Sequence, residues 1–299
     1  MEHEATAGHD DREAFPVPAG LRESAAREGW EAWLDALPAT VRRLQAEWSL
    51  SVGEPFRPGG HTAWVAPVVA GGDLLVLKIG RRHPEAEHEA DGLRRWDGAG
   101  TVDLHADAKL GDTAVLLLER CVPGDALSAR PEHEQDAVIT GLLRRLWRDP
   151  GPDHAFRPLQ EMCDQWVDGF ERGLEGRSTG LDPGIVRDGM ALFRSLPASA
   201  DRAVLLCTDL HAGNVLAAQR ERWLVIDPKP YVGDPTYDAL QHLLNCGDRL
   251  RSDPLGLVRR IAGMLDLDPD RLSLWLFARC VVESARWPGL ADVARRIAP

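Results

Sequence analysis

Apolar positions along the chain change their spacing twice. From Trp30 to Trp48 they fall at Trp33, Leu34, Leu37, Val41, Leu44 and Trp48, three and four residues apart, which predicts a helix. Pro38 lies inside that run and predicts a kink or a division, because proline removes a backbone donor and crowds the preceding turn. Short runs rich in β-forming residues follow: WSLSVGEPF, TAWVAPVVA and LLVLKIG, parted by Pro58–Gly59–Gly60 and Gly71–Gly72–Asp73. They predict three antiparallel strands in a meander. PEAEHEADGLRRW then sets Ala86, Ala90, Leu93 and Trp96 on one helical face, with Glu85 and Glu89 one turn apart. VDLHADAKL and TAVLLLERC complete a sheet of about five strands with one inserted helix.

After CVPGDAL, punctuated by Pro123–Gly124, helical spacing takes over in AVITGLLRRLW, LQEMCDQWVDGFERGL, IVRDGMALFRSL, YDALQHLLN and LSLWLFARCVVESARW. The exception is VLLCTDLHAGNVLAAQRERWLVIDPK. There NVLAA and WLVID flank the polar turn Gln219 to Arg222, as in a hairpin. No internal repeat is visible. Residues 1–25 are charged, poor in large apolar side chains and broken by Pro16, Pro18 and Gly20, so they read as a mobile arm. The expected organisation is therefore α+β in two lobes: that arm, a β-rich N-terminal lobe over 26–121, and a larger helical C-terminal lobe over 122–299 that carries the hairpin.

Composition narrows the function. The chain has 299 residues, 44% hydrophobic and 27% charged, which suits a folded protein. Thirty-five Lys and Arg stand against 47 Asp and Glu, a net charge of −12, which argues against a nucleic-acid partner and suits an acidic cleft attracting a cationic substrate. The five cysteines, Cys121, Cys163, Cys207, Cys246 and Cys280, form no CxxC pair, so neither a disulfide framework nor a zinc site is expected. A polar N-terminus and the lack of a spanning apolar stretch predict a cytoplasmic protein with no membrane partner.

The chemistry concentrates around the hairpin. Cys207-Thr208-Asp209-Leu210-His211-Ala212-Gly213-Asn214 is followed by Ile226-Asp227-Pro228-Lys229. Phosphoryl transfer needs a carboxylate to orient the attacking hydroxyl and oxygen ligands to hold Mg²⁺ on nucleotide phosphates. Asp209, Asn214 and Asp227 supply these groups, and a hairpin would return Asp227 toward Asn214. Lys78, one of three lysines in a chain whose basic residues are otherwise arginine, sits in an apolar strand where burial without a partner is costly. It suits a lysine that reaches nucleotide phosphates, with Glu89 as its partner and Glu85 in reserve. The turn Arg57 to Thr62 lacks GxGxxG, although its backbone and Thr62 suit a phosphate cradle.

DLHAGN resembles the catalytic loop of aminoglycoside phosphotransferases, IDPK resembles their metal-binding segment, and VGDPTYD their usual sequel. Asp–Pro–Lys with VGDPTYD is most similar to the branch of streptomycin 6-phosphotransferases and hydroxyurea phosphotransferases, over about Trp48 to Trp287. The resemblance implies a two-lobed protein-kinase-like fold and an ATP- and Mg²⁺-dependent kinase that phosphorylates a hydroxyl of an antibiotic-like acceptor and so confers resistance. It implies Asp209 as base, Asn214 and Asp227 as metal ligands, and His211 and Asp234 as hydrogen-bonding supports of the loop. It also implies an adenine contact through the backbone of Leu118-Glu119-Arg120-Cys121, hence Glu119 and Cys121. The family's common His-Gly before the base is Cys207-Thr208 here, and Cys207 reads as packing rather than nucleophile. Acceptor carboxylates are expected among Asp164, Asp168, Glu171 and, in an apolar run, Glu283, with streptomycin or hydroxyurea as acceptor. A metabolic kinase of the same fold is the alternative, and so is a nucleotide-binding pseudokinase, which the intact Lys78, Asp209, Asn214 and Asp227 set disfavours.

Overall fold

A computed structural model describes residues 15–174 and 179–299. In chain order its elements are α1 (Ala19–Glu28), α2 (Glu31–Glu47), β1 (Ser51–Val52), β2 (Ala63–Ala70), β3 (Asp73–Arg81), α3 (Glu89–Trp96), β4 (Leu104–Leu110) and β5 (Thr113–Glu119). Then come α4 (Glu132–Leu146), α5 (Leu159–Gly173), α6 (Pro183–Ser195), β6 (Val204–Leu206), β7 (Val215–Ala217), β8 (Trp223–Val225) and β9 (Tyr231–Gly233). The chain closes with α7 (Pro235–Asp238), α8 (Leu240–Asn245), α9 (Gly247–Ser252), α10 (Pro254–Leu265), α11 (Pro269–Glu283) and α12 (Gly289–Ile297).

The chain folds as two compact units, and the partition is not the single cut expected at residue 121. One unit takes the chain up to Arg81 together with Ala106–Leu118; the other takes Arg82–His105 and Glu119–Pro299. The helix inserted after β3 therefore groups with the larger unit.

In the smaller unit the sheet runs β1-β2-β3-β5-β4, the five strands expected. Strict alternation in β3 turns Leu75, Leu77 and Ile79 into the core and leaves Lys78, opposite Val65, half-buried on the other face. Helix α2 buries Trp33, Leu34, Leu37, Val41 and Leu44, and the Trp33 indole donates to the Thr113 hydroxyl of β5 at 2.9 Å. Pro38 does not divide α2. Its buried stripe continues on both sides, and each buried aliphatic side chain contributes about 1.5–3 kcal/mol, which offsets one lost backbone bond. The expected arm also needs correcting. Its first fourteen residues lie outside the described ones, but Ala19–Glu28 is a helix that buries Leu21 and Ala25 and ends at Gly29, φ +73°. Phe15 stacks on Trp64, with ring centroids 5.4 Å apart.

The larger unit is helical around α11, whose Leu272, Trp275, Leu276, Phe277 and Ala278 are buried. Helix α6 approaches closely because Gly189 has no side chain; a Cβ there would lie 2.6 Å from Val281. The two-stranded sheet of β7 and β8 is the expected hairpin, and β6 pairs with β9 in a second one. No described helix is long and apolar enough to cross a membrane.

One buried carboxylate ties four of these helices. Asp136 of α4, 0% exposed, accepts from His242 of α8 at 2.8 Å, Arg249 of α9 at 2.9 Å and Arg260 of α10 at 2.8 Å. Burial alone would raise its pKa, but the hydrogen bonds from His242, Arg249 and Arg260 together hold it well below the usual carboxylate range. A depressed carboxylate stabilises the fold fully above its unfolded pKa of about 3.9, begins to lose that contribution below it, and has lost it once pH falls through the lower folded pKa. Asp136→Asn is therefore expected to cost about 2 kcal/mol at pH 7. Urea titrations should show the gap to wild type closing below about pH 4. A gap independent of pH would mean that the ionised form contributes nothing.

Candidate active site

The hairpin positions the reactive loop. Val215 pairs with Val225 and Ala217 with Trp223, and the Ile226 N–H donates to the Asn214 carbonyl at 2.9 Å. This register sets Asp227 one residue beyond the partner of Asn214. The Asn214 amide donates to the Asp209 carbonyl at 3.0 Å and to its carboxylate at 3.4 Å. Within the loop, His211 accepts the Gly213 N–H on Nδ1 at 3.0 Å.

The loop is anchored from below by a residue that sequence reasoning did not assign. Asp238, 0% exposed, accepts the backbone N–H groups of Cys207 at 3.0 Å and Thr208 at 2.6 Å, and the Trp147 indole at 3.0 Å. Burial pushes the Asp238 carboxyl up to about 6 against these donors. Asp234, expected to support the loop, instead caps α7 at the Thr236 N–H and takes Arg271 and Trp275 of α11. The anchoring carboxylate is the last acidic residue of VGDPTYD, one helical turn further on, with its partners 31 and 30 residues upstream.

Thr208 adopts φ +50°, where a β-branched residue is strained and glycine is not. Its hydroxyl donates to the Lys229 carbonyl at 2.6 Å, a bond that glycine lacks. Cys207 is buried, and burial raises its thiol well above the ordinary value, so it packs and does not react.

Lys229 also had no assigned role, although a lysine beside Asp227 in so lysine-poor a chain was the signal. Its ammonium pairs with the Asp227 carboxylate, and its N–H donates to the Cys207 carbonyl at 2.9 Å. Burial raises the Asp209 carboxyl to about 6; Lys229 opposes the rise, Asp227 and Glu85 add to it, and Arg279 opposes it. Asp209 is thus a carboxylate of raised basicity, held by its own backbone.

Asp209 lines a cavity of about 1230 Å³ within the larger unit. Glu283 lines it too and pairs with Arg279, which is 5% exposed and lies 4.0 Å from the Trp166 ring centroid. Of the other acidic candidates, Asp168 and Glu171 bind Arg194 at 2.6 and 3.1 Å on an exposed face, and Asp164 accepts from Gln160 at 3.0 Å. None of the three lines the cavity. Nor is the cavity wall the acidic surface expected from net charge. Glu85, Asp209 and Glu283 are matched there by Lys229, Arg251, Arg279 and Arg286. Much of the −12 lies elsewhere, because net charge counts every solvated face alike.

The expected nucleotide residues are placed as follows. Thr62 is exposed in the turn before β2, and Lys78 is half-buried in β3. In the larger unit Glu89 is buried as the first residue of α3, while Glu85 stands in the preceding turn and faces the cavity. The Glu119 N–H donates to the Asp103 carbonyl at 2.8 Å, and its carboxylate accepts from the Asp103 N–H at 3.0 Å and from Arg220 at 2.7 Å. Any adenine contact along 119–121 therefore falls to other backbone groups. Cys121 is half-buried, which pushes its thiol up to about 11.

Comparison with known proteins adds the last findings. The sequence profile of the family described as aminoglycoside/hydroxyurea antibiotic resistance kinase matches residues 48–290. The chain is 36% identical to hydroxyurea phosphotransferase of Kitasatospora aureofaciens, over 91% of this chain and 79% of that one. It is 34% identical to streptomycin 6-kinase of Streptomyces griseus, over 95% and 94%. Among solved structures it resembles aminoglycoside phosphotransferase APH(4)-Ia in ternary complex with ADP and hygromycin B, with TM-score 0.56 and 16% identity over 86% of this chain and 98% of that one. Choline kinase LicA from Streptococcus pneumoniae superposes with TM-score 0.59 and 11% identity over 88% and 96%. These two likenesses establish a protein-kinase-like fold.

Proposed function

The chain belongs to the aminoglycoside/hydroxyurea antibiotic resistance kinase family and is a phosphotransferase, and from that membership we propose that it transfers the γ-phosphoryl group of ATP to a hydroxyl of a small acceptor bound beside Asp209. A streptomycin-type aminoglycoside, phosphorylated at its 6-hydroxyl, is the acceptor proposed first, and hydroxyurea the second. One observation carries the order. The base lines a cavity of about 1230 Å³, above the roughly 300–1,000 Å³ typical of drug-sized ligands and far more than hydroxyurea needs.

In this reading Asp209 accepts the hydrogen bond and then the proton of the attacking hydroxyl, a task that its raised basicity favours. Asn214 and Asp227 would hold Mg²⁺: with the Asn214 N–H turned to Asp209, its Oδ1 is left to serve, like the Asp227 carboxylate, as a hard oxygen donor. The ion would supply charge neutralisation at the nucleotide phosphates. Lys229 pairs with the Asp227 carboxylate. Lys78 and Thr62 are proposed for phosphate, and Glu89 and the backbone of 118–121 are proposed to complete the nucleotide set. The use of ATP and the unpaired state of all five cysteines fit a cytoplasmic site of action.

The test is Mg²⁺-ATP turnover, followed as ADP release, with streptomycin, hydroxyurea and an aminoglycoside panel, using Asp209→Asn as the blank. Turnover of streptomycin above the blank supports the first acceptor, and turnover of hydroxyurea alone the second. Nucleotide binding with no turnover on any acceptor would overturn the reading.

A further inference from the structure

The chain leaving β5, residues 119–126, is fastened at both ends to the β7–β8 hairpin. At its far end the Gly124 N–H donates to the Ala217 carbonyl at 3.0 Å, and the Ala217 N–H to the Asp125 carbonyl at 2.9 Å. At its near end stands Arg220, in the turn of the hairpin. Its Nε and Nη2 donate to the Glu119 carboxylate at 3.1 and 2.7 Å. Nη1 donates to the Gly98 carbonyl and Nη2 also to the Thr101 carbonyl, each at 2.7 Å. The same carboxylate accepts the Asp103 N–H at 3.0 Å. Gly98, at φ +68°, makes room for this cluster: a Cβ there would run into the Asp103 carboxylate and crowd Nη1 of Arg220. A lone exposed ion pair holds little, but a forked guanidinium bonded to one carboxylate and two carbonyls fixes three segments at once.

We propose that Arg220 is a positioning residue for the nucleotide, clamping the start of 119–126 to the hairpin whose other end carries Asn214 and Asp227. The inference rests on the kinase reading above, in which the main chain of Arg120 and Cys121 meets the adenine, and deepens it by naming what holds that segment. Asn214 immediately precedes β7 and Asp227 follows β8, so the clamp sets the base-binding segment and the metal ligands in one frame. Glu119 and Arg220 are 101 residues apart, which makes their bond a long-range tie between two segments that each face one end of the nucleotide. Without the fork, Glu119 stays bonded to Asp103 but is no longer tied to the hairpin turn. Ordering the segment then becomes part of the cost of binding the base. The phosphate end, held by other residues, keeps its affinity.

Calorimetry on the full chain, with Mg²⁺ present, tests the clamp with ADP and with inorganic tripolyphosphate, which has no base. Arg220→Gln is expected to weaken ADP about tenfold and to leave tripolyphosphate within about twofold. In steady state KM for ATP should rise by a similar factor, with kcat and acceptor KM within about twofold. Arg145→Gln is the control, since Arg145 pairs with Glu221 of the same turn at 2.7 Å and does not reach Glu119; its ADP affinity should match wild type. Melting curves accompany each variant, and Glu119→Gln, which keeps the shape and loses the charge, decides if Arg220→Gln fails to fold. Unchanged ADP affinity in the folded variant overturns the clamp and leaves the kinase reading intact. So does an equal loss for ADP and tripolyphosphate, or an equal loss in Arg145→Gln, because either would mark a general loosening of the fold. Wild-type protein that binds neither ADP nor ATP overturns the clamp and the reading together.

Discussion

An Asp209→Asn protein is expected to fold, bind both substrates and turn over at about a thousandth of the wild-type rate or less. The change is isosteric and leaves the main-chain supports of residue 209 in place. Its N–H still donates to the Cys207 carbonyl at 2.8 Å, and its carbonyl still receives the Asn214 amide at 3.0 Å. What disappears is the proton-accepting oxygen in the cavity wall and one negative charge. Positioning by the rest of the site survives, so KM for the acceptor should stay within about threefold, while kcat takes the loss. ADP release and a thermal melt on the same preparation check both halves. Near-normal kcat in a folded Asn variant would place the base elsewhere.

The second large effect is expected at Asp238, a residue that touches no substrate. Asp238→Ala leaves three N–H groups without their acceptor, the buried ones of Cys207 and Thr208 and the part-buried Trp147 indole. At about 1 kcal/mol or more for each, the fold should lose about 3 kcal/mol, read as a lower urea midpoint at unchanged slope. Activity should fall further than stability explains. Thr208 is held at φ +50° with both N–H groups of the pair turned onto one carboxylate, and without it the residue relaxes toward negative φ and carries Asp209 with it. A drop in kcat of about 100-fold in protein that is still folded is the expected result, since small displacements of a catalytic group cost that much. Wild-type kcat in folded Asp238→Ala would show that the loop holds its own shape.

The parts of the site that could be read from the chain are those separated by a few residues. Asp209 and Asn214 are five apart, and a hairpin of predictable register brings Asp227 back, so spacing alone carried the geometry. The five strands were legible for the same reason, since alternation and glycine turns are local signals. Asp238 and the Arg279–Glu283 wall were harder. Asp238 meets the loop across 31 residues, and Arg279 reaches Tyr237 across 42, distances at which no periodicity speaks. Arg279 did leave a trace: it stands in the same predicted helix, LSLWLFARCVVESARW, as Glu283. Helix α1 was missed because Pro16 and Pro18 look like breakers, and only Leu21 and Ala25 anchor its apolar side. The acidic cleft failed because a sum over 299 residues says nothing about the few that line one cavity.

The bonds from Asp238 end on main-chain nitrogens and on no side chain of residues 207 or 208. Every non-proline residue carries that nitrogen, so the anchor is blind to which letters precede the base. This loosens the vocabulary of the loop: Cys-Thr can stand where His-Gly is usual, provided that position 208 tolerates its backbone twist. A pattern spelled in side chains around the base would overlook such chains. One spelled as a base followed at the right distance by a buried aspartate would find them.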